Sequence, residues 1–158
     1  MRILKQAILL VLLTTLSVAS IASTITKKQV LKFHDQILKH EEAKDIKALQ
    51  KLISNDAQFV FTQHKKGKKP KNLTFSKRKY IRSLNNAWHY LQSRSSKILK
   101  RQVEFSKDKK SANLKIKTKV KDIYATTVVK GMSEDVFKIE MIDGKLMITG
   151  GVGEAHFD

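Results

Sequence analysis

A stretch near the middle of this chain alternates lysine with uncharged, mostly apolar side chains. Within Asn113–Lys121, every second position is a lysine, and the residues between them are Leu114, Ile116, Thr118 and Val120. Successive side chains of a strand point to opposite faces, so a strand here has one lysine face and one mainly apolar face. A helix would scatter the same lysines around its surface. The stretch therefore predicts a central strand of an antiparallel sheet, wet on one face and packed on the other.

Helix-start signals come before this strand. Thr26 followed by Gln29 is a capping box, and it opens an amphipathic helix that runs to about residue 43. Asp45 is a typical N-cap for a short second helix. Ser76 opens a third helix that runs through Gln92.

Alternating segments predict the remaining strands. Asp143 followed by Gly144 is a strong hairpin signal, and the following Gly150 and Gly151 let the chain bend or end the last strand. Residues 63–72 are rich in lysine and predict an exposed loop. In the predicted strand of residues 97–105, Leu99, Val103 and Phe105 are expected to face inward. Val103 is then expected to lie beside Leu114 of the next strand, and Phe105 beside Ala112. The predicted strands are residues 57–62, 97–105, 113–124, 136–141 and 145–149.

The first 22 residues predict a cleaved secretory signal. Arg2 and Lys5 precede an uncharged apolar run, and Ser20–Ala22 offers small residues at the two positions that signal peptidase reads. The protein is therefore expected to be exported, to the periplasm or outside the cell, after cleavage near Ala22. The chain has no cysteine, which excludes disulfides, cysteine-bound metals and thiol catalysis.

The net charge of +18 favours an anionic partner, although a solvated basic surface is the simpler alternative. Nucleic acid is disfavoured because the lysine strand lacks interleaved aromatic side chains. Anionic lipid, polysaccharide or an acidic protein fits an exported chain better. Two such basic faces repel each other, so the chain is expected to be a monomer or a weak dimer. The predicted anionic-partner face consists of Lys100, Lys115, Lys117, Lys119, Lys121 and Lys138.

Three segments together resemble the NTF2-like (SnoaL-like) superfamily. They are residues 45–60, the helix from Ser76, and the hairpin of residues 137–150. The resemblance implies one α+β domain over residues 23–158, in which a cone-like, curved antiparallel sheet packs on three N-terminal helices. A pocket lies at the wide end of the cone in this superfamily. Its members include steroid isomerases, dehydratases, polyketide cyclases and non-catalytic binding domains, so the fold alone does not choose a function.

The resemblance argues against isomerase chemistry here. It places Phe61 where the isomerases carry an acidic general base, and the first helix lacks their tyrosine at positions 33–37. The remaining catalytic candidates are His34, Asp122 and Tyr124, with a boundary histidine and a solvated strand end as the alternatives for the first two. Asp135 has the same inward-facing parity as Phe137, and a solvated strand end is the alternative for it too. The predicted ligand pocket consists of Phe33, Phe61, Tyr80, Trp88, Arg101, Thr118, Asp122 and Tyr124.

The histidines show no close ligand spacing within one helix, so neither a metal nor another cofactor is expected. The favoured function is an exported, non-catalytic domain that binds a small apolar or amphipathic ligand, or an anionic envelope component. One alternative is a pocket lyase, isomerase or hydrolase. Another is an interaction module whose basic face docks an acidic protein or polymer.

Overall fold

The computed structural model describes residues 24–158, so the predicted signal peptide lies outside the described residues. The helices are α1 (Lys27–Glu42), α2 (Ile46–Lys51) and α3 (Lys77–Tyr90). The strands are β1 (Ile53–Lys65), β2 (Lys71–Ser76), β3 (Leu91–Phe105), β4 (Ser111–Tyr124), β5 (Val128–Ile142) and β6 (Lys145–Phe157). Among these residues, no helix is both long enough and apolar enough to cross a membrane.

The six strands form one sheet in the order β2-β1-β6-β5-β4-β3. The sheet is curved and unclosed, and three helices pack on it, which confirms the expected cone-like α+β fold. One detail differs from the expected antiparallel sheet, because β1 and β6 pair in parallel. The physical reason is the route of the chain: α3 carries it from β2 at one edge to β3 at the other, and the meander then returns β6 to the side of β1.

Strand β4 has the two faces that its sequence predicts. Leu114 is 1% exposed and Ile116 is buried, whereas Lys115 and Lys119 are exposed. The expected register with β3 is also confirmed, because Val103 lies opposite Leu114, and the Phe105–Ala112 pair follows. The apolar face of β4 therefore lies in the core and its lysines lie on the outer face.

A β-bulge between Ile98 and Lys100 corrects one inward assignment on β3. Leu99 was expected to face inward but is 46% exposed. A bulge inserts an extra residue and reverses the side-chain parity beyond it. Even-numbered residues before the bulge therefore face inward, while Val103 and its odd-numbered neighbours face inward after it.

Several strands extend beyond their predicted ends. Strand β2 occupies residues predicted as the end of a loop, and β6 passes Gly150 and Gly151 instead of ending there. These segments lack a clear apolar alternation, yet their backbones still pair: the β1–β6 ladder runs as far as Lys65 and Phe157. Backbone hydrogen bonding, rather than side-chain pattern, sets these ends.

The predicted helix starts and the hairpin turn lie where the sequence places them, but one predicted cap makes no side-chain hydrogen bond. Thr26 and Gln29 form the reciprocal capping box, and Asp45 accepts a hydrogen bond from the backbone of α2. Ser76 is the N-cap of α3 but its side chain makes no capping hydrogen bond. Asp143 and Gly144 both have positive φ, at 49° and 74°, as a type I′ hairpin turn requires.

Candidate functional site

A cavity of about 300 Å³ lies between the helices and the inner face of the sheet. Its volume is at the low end of the range for small-molecule sites. Most of the wall is apolar, with a few polar groups placed among the apolar side chains. The apolar lining includes Ile37, Leu38, Leu84, Ile98, Val120 and Phe137.

A charged pair, Arg94 and Asp122, forms one side of the cavity. Arg94 Nε donates to Asp122 Oδ1 and Arg94 Nη2 donates to Oδ2, both at 2.8 Å. The side chain of Asp122 is buried, and its hydrogen bond with Arg94 raises the pKa of the guanidinium above its ordinary value. A bidentate pair of this kind is held in one geometry. Asp122 therefore has its carboxylate occupied by Arg94 and is poorly placed to accept a proton from a ligand.

Two further acids, Glu41 and Asp135, line the same cavity. Burial raises the pKa of Glu41; the charge of Arg94 opposes this shift and that of Asp135 adds to it. Burial also raises the pKa of Asp135, against a hydrogen bond from Ser133 that lowers it. Both carboxyl groups are thus displaced toward their neutral forms, which is a property of groups that exchange protons or bind neutral polar ligands.

Glycines on β6 make room for the side chains that point inward from β5 and β1. Gly153 lies opposite Asp135 on one side and Phe61 on the other. A Cβ atom at Gly153 would overlap the Asp135 carboxylate oxygen and would come within 3.0 Å of the Phe61 ring. The missing side chain at position 153 therefore lets Asp135 lean across the sheet into the cavity.

His34 lies in the cavity wall and is only 4% exposed. Its Nδ1 atom is 3.3 Å from Arg101 Nη1, and Arg101 also donates to Asp35. Arginine has no acceptor, so Nδ1 accepts and the imidazole proton is on Nε2. Burial, with a contribution from the Arg101 charge, lowers the pKa of His34 to about 4. The ring is neutral at physiological pH and serves as a hydrogen-bonding wall group.

Aromatic rings close the other side of the cavity. Tyr80 on α3 stacks on Phe59 with ring centroids 4.3 Å apart, and lies 6.0 Å from Phe61. Burial, with the nearby Glu41 and Asp135, raises the pKa of Tyr80 well above its usual range. Its hydroxyl therefore stays protonated.

The cavity brings together part of the predicted pocket. Phe61, Tyr80, Thr118 and Asp122 line it, as does the catalytic candidate His34. Asp135, for which a solvated strand end was the alternative, lies within β5 because that strand begins at Val128.

Four predicted pocket residues do not line the cavity. Phe33 is buried in the main core, since it is on the side of α1 that meets the sheet. Trp88 belongs to a separate cluster with Leu49 and Leu91, against which Tyr124 also packs. Tyr124 keeps its inward parity but lies at the end of β4, beyond the cavity. Arg101 faces α1, where it contacts His34 and Asp35.

Sequence reasoning missed Arg94 and Glu41. Arg94 falls between the predicted helix, which ends at Gln92, and the predicted strand, which begins at Lys97, and the bulge hides its inward parity. Glu41 carried a usable signal, because it follows Ile37 and Leu38 at helical spacing and so continues the apolar stripe of α1. An acid at the end of an apolar stripe is a candidate pocket group.

The outer face of the sheet carries the predicted lysines, but several are paired. Lys115 bonds Glu104 at 2.7 Å, Lys117 bonds Glu134, and Lys138 bonds Glu140. Within residues 24–158, four other lysines around one shallow groove make no ion pair with a carboxylate. These lysines, which we call the groove lysines, are Lys97, Lys119, Lys121 and Lys130.

No family model matches the chain, and no curated protein matches it. Similar solved structures include an NTF2-like protein from Cytophaga hutchinsonii (TM-score 0.64, 14% identity, covering 83% of this chain and 99% of that one). Another is hexachlorocyclohexane dehydrochlorinase LinA-type3 from Novosphingobium barchaimii (TM-score 0.64, 13% identity, covering 82% and 86%). A third is an NTF2-like protein of unknown function from Pseudomonas putida (TM-score 0.62, 8% identity, covering 84% and 89%).

The chain therefore has the NTF2-like fold, as the resemblance in its sequence implied. The similar structures include both an enzyme and proteins of unknown function. At these identities the similarity establishes the fold alone, so the ligand has to be argued from the cavity itself.

Proposed function

We propose that this chain is an exported NTF2-like domain whose cavity binds a small, mainly apolar molecule that carries a hydroxyl or amino group. The observation that carries the proposal is the apolar cavity of about 300 Å³ into which Glu41 and Asp135 project. A site of this type gains affinity from apolar burial and orientation from a few polar contacts.

The charges in the cavity decide which head group it accepts. Arg94 is already neutralised by Asp122, so it offers little to an anionic ligand. Whether ionised or neutral, Glu41 and Asp135 can accept hydrogen bonds from a hydroxyl or amino group, and neither offers a positive charge to an anion. Anionic envelope components fit the outer lysine face instead, so the two classes of ligand considered from the sequence belong to opposite faces of the sheet.

A second candidate function is acid–base catalysis in the same cavity. The raised pKa values of Glu41 and Asp135 are the specific observation in its favour, since a general acid or base works best when its pKa approaches the ambient pH. Either residue could move a proton in an isomerase or lyase reaction. Both suit this role better than Asp122, which Arg94 holds, or Tyr124, which lies outside the cavity.

Export is part of the proposal and is supported by the N-terminal sequence alone. Residues 1–22 have the charge and apolar pattern of a signal peptide. The polypeptide mass of the protein recovered from the exported fraction tests cleavage near Ala22.

Native mass spectrometry of that recovered protein tests the ligand. We expect extra mass that is released on denaturation, and the released compound should be apolar with a hydroxyl or amino group. Glu41→Gln and Asp135→Asn should weaken its rebinding, whereas Glu42→Gln, one position along α1 and exposed, should not. A bare chain that also fails to rebind amphipathic compounds would overturn the proposal.

The same preparation separates binding from catalysis. Incubating the identified compound with the protein leaves it unchanged if the domain only binds. Turnover that is lost in Asp135→Asn or Glu41→Gln, while Glu42→Gln keeps it, would establish the enzymatic alternative.

A further inference from the structure

Two histidines and a glutamate meet on the outer face of the sheet, on the opposite side from the cavity. His64 on β1 lies directly beside His156 on β6 in the parallel register. Glu154 is two residues before His156, so it shares the same face of β6. These residues are far apart in sequence, and only the parallel β1–β6 pair brings them together.

The distances within this cluster are too long for hydrogen bonds. His64 Nε2 is 3.9 Å from Glu154 Oε2, and His156 Nε2 is 3.8 Å from the same oxygen. Hydrogen bonds from nitrogen to oxygen have distances of about 2.7–3.2 Å. The three possible ligand atoms nevertheless all lie within 4.8 Å of one another.

That spacing is close to the distance between two ligand atoms that bind one metal ion. Zinc binds imidazole nitrogen and carboxylate oxygen at about 2.0–2.2 Å with tetrahedral geometry, which places neighbouring ligand atoms about 3.4 Å apart. Each nitrogen–oxygen pair has to contract by about half an ångström, and the two imidazole nitrogens, which lie within 4.8 Å of each other, have to converge on the ion as well. Rotation of the exposed His156 and Glu154 side chains can supply both movements.

A second observation concerns the nitrogen of His64. Its Nε2 atom is buried and has no hydrogen-bond partner within residues 24–158. Buried polar atoms are rarely left without a partner, and each one that is found calls for an explanation such as an ion. The Nε2 atoms of His64 and His156 lie 3.9 and 3.8 Å from the same Glu154 oxygen. Their imidazole rings stack in parallel with centroids 4.3 Å apart. Imidazole lone pairs lie in the ring plane, so the exposed His156 ring has to turn out of this stack for both nitrogens to bind one ion.

We propose that His64, Glu154 and His156 form a binding site for one divalent transition-metal ion of the zinc class. Two imidazoles and one carboxylate select zinc, copper or nickel over calcium or magnesium, which prefer oxygen ligands. Three protein ligands leave at least one coordination position for water. The helical spacing of histidines in the sequence could not reveal this site, because its ligands come from neighbouring strands.

The surrounding residues set the charge around the ion. Glu134 lies opposite Glu154 and Met132 lies opposite His156 on β5. Glu134 is paired with Lys117, which leaves Glu154 as the carboxylate next to both imidazoles. A bound ion would cross-link β1 to β6, so metal binding should stabilise the fold.

Titration of the untagged, recovered protein with zinc chloride in a non-chelating buffer tests the proposal. We expect one saturable site per chain by calorimetry and a rise in Tm that grows with zinc concentration. His64→Gln, His156→Gln and Glu154→Gln should each weaken binding by at least about tenfold. The control His89→Gln removes an exposed histidine on α3, outside the cluster, and should bind as the original chain does. Calcium should give no rise in Tm.

A second readout keeps the test independent of folding. With Cu²⁺ as the probe, electron paramagnetic resonance should show coupling to two imidazole nitrogens, and to one in His156→Gln. His156 is exposed, so this variant is expected to fold. Absence of saturable binding, or equal binding in His156→Gln and His89→Gln, would overturn the proposal. Neither result depends on what the cavity binds.

Discussion

Several ionisable residues around the cavity have pKa values shifted from those they would have in water. His34 is neutral because it is buried and faces Arg101, while Glu41 and Asp135 are displaced toward their neutral acids. Folding stability therefore depends on pH in opposite directions for the histidine and for the two acids.

Acid should destabilise the protein through His34. Its pKa is about 4 in the folded chain and about 6.5 when unfolded, so the unfolded chain gains a proton first as the pH falls between these values. The loss of stability from this residue should reach about 2–3 kcal/mol by pH 4.5. Urea unfolding at pH 7.5 and 4.5 measures it, and His34→Asn, which keeps an acceptor for Arg101, should show a smaller difference. Parallel pH profiles for the two proteins would contradict this account.

Glu41 should act in the opposite direction. Its folded pKa lies above the ordinary value of 4.5, so the unfolded chain releases its proton first as the pH rises, and stability falls. Glu41→Gln should remove this dependence and leave the protein more stable at pH 7, as measured by urea unfolding. Glu42→Gln is the matched control, and an equal gain in that variant would show that the effect is a general change in net charge.

Among the structural elements, β6 organises both faces of the sheet. Its glycines leave space for the inward side chains of β5 and β1, and its outward residues include Glu154 and His156. It pairs with β5 on one side and β1 on the other. The part beyond Gly150 was predicted to bend or end, yet it joins the two halves of the sheet.

Removing the end of β6 should therefore unfold the domain. A chain ending at Thr149 loses most of the β1–β6 ladder, and β1 and β2 lose their link to the rest of the sheet. We expect circular dichroism to show no cooperative thermal transition. A chain that lacks only Asp158, which follows the strand, is the control. Native-like melting of the chain ending at Thr149 would show that β1 is held by the helices instead.

The elements that could be predicted from sequence are those whose side chains alternate clearly or cap a helix. The β4 stripe, the Thr26–Gln29 capping box and the Asp143–Gly144 turn are local signals, and each was found. The bulge at Leu99 and the parallel pairing of His64 with His156 are set by contacts between distant segments. The position of Arg94 depends on the bulge, and the candidate metal site depends on the pairing, so neither could be reached from local pattern.

For the molecule as a whole, the two faces of the sheet have different electrostatic character. The inner face encloses acids with raised pKa values, and the outer face carries lysines, some paired and some not. Unpaired lysines attract anionic surfaces more strongly than lysines already bonded to a carboxylate. The groove lysines are therefore the best candidates for contact with an anionic partner.

Binding to vesicles with anionic lipid should depend on the groove lysines. Lys119→Gln combined with Lys121→Gln should weaken binding by about 2 kcal/mol, or roughly 30-fold, at low salt. Lys47→Gln combined with Lys51→Gln removes the same charge from α2 and should have a smaller effect. Vesicle flotation at increasing salt measures both. Equal losses in the two double variants would mean that net charge alone drives binding.

The parallel pairing of β1 with β6 also has a consequence for how the protein is made. Roughly 80 residues separate the end of β1 from the start of β6. At about 5–20 residues per second, β1 waits several seconds on the ribosome before its partner exists. The sheet can be completed only after β6 has left the ribosome. Until then β1 and β5 both lack the strand that pairs with them, so the nascent chain exposes two unpaired strand edges.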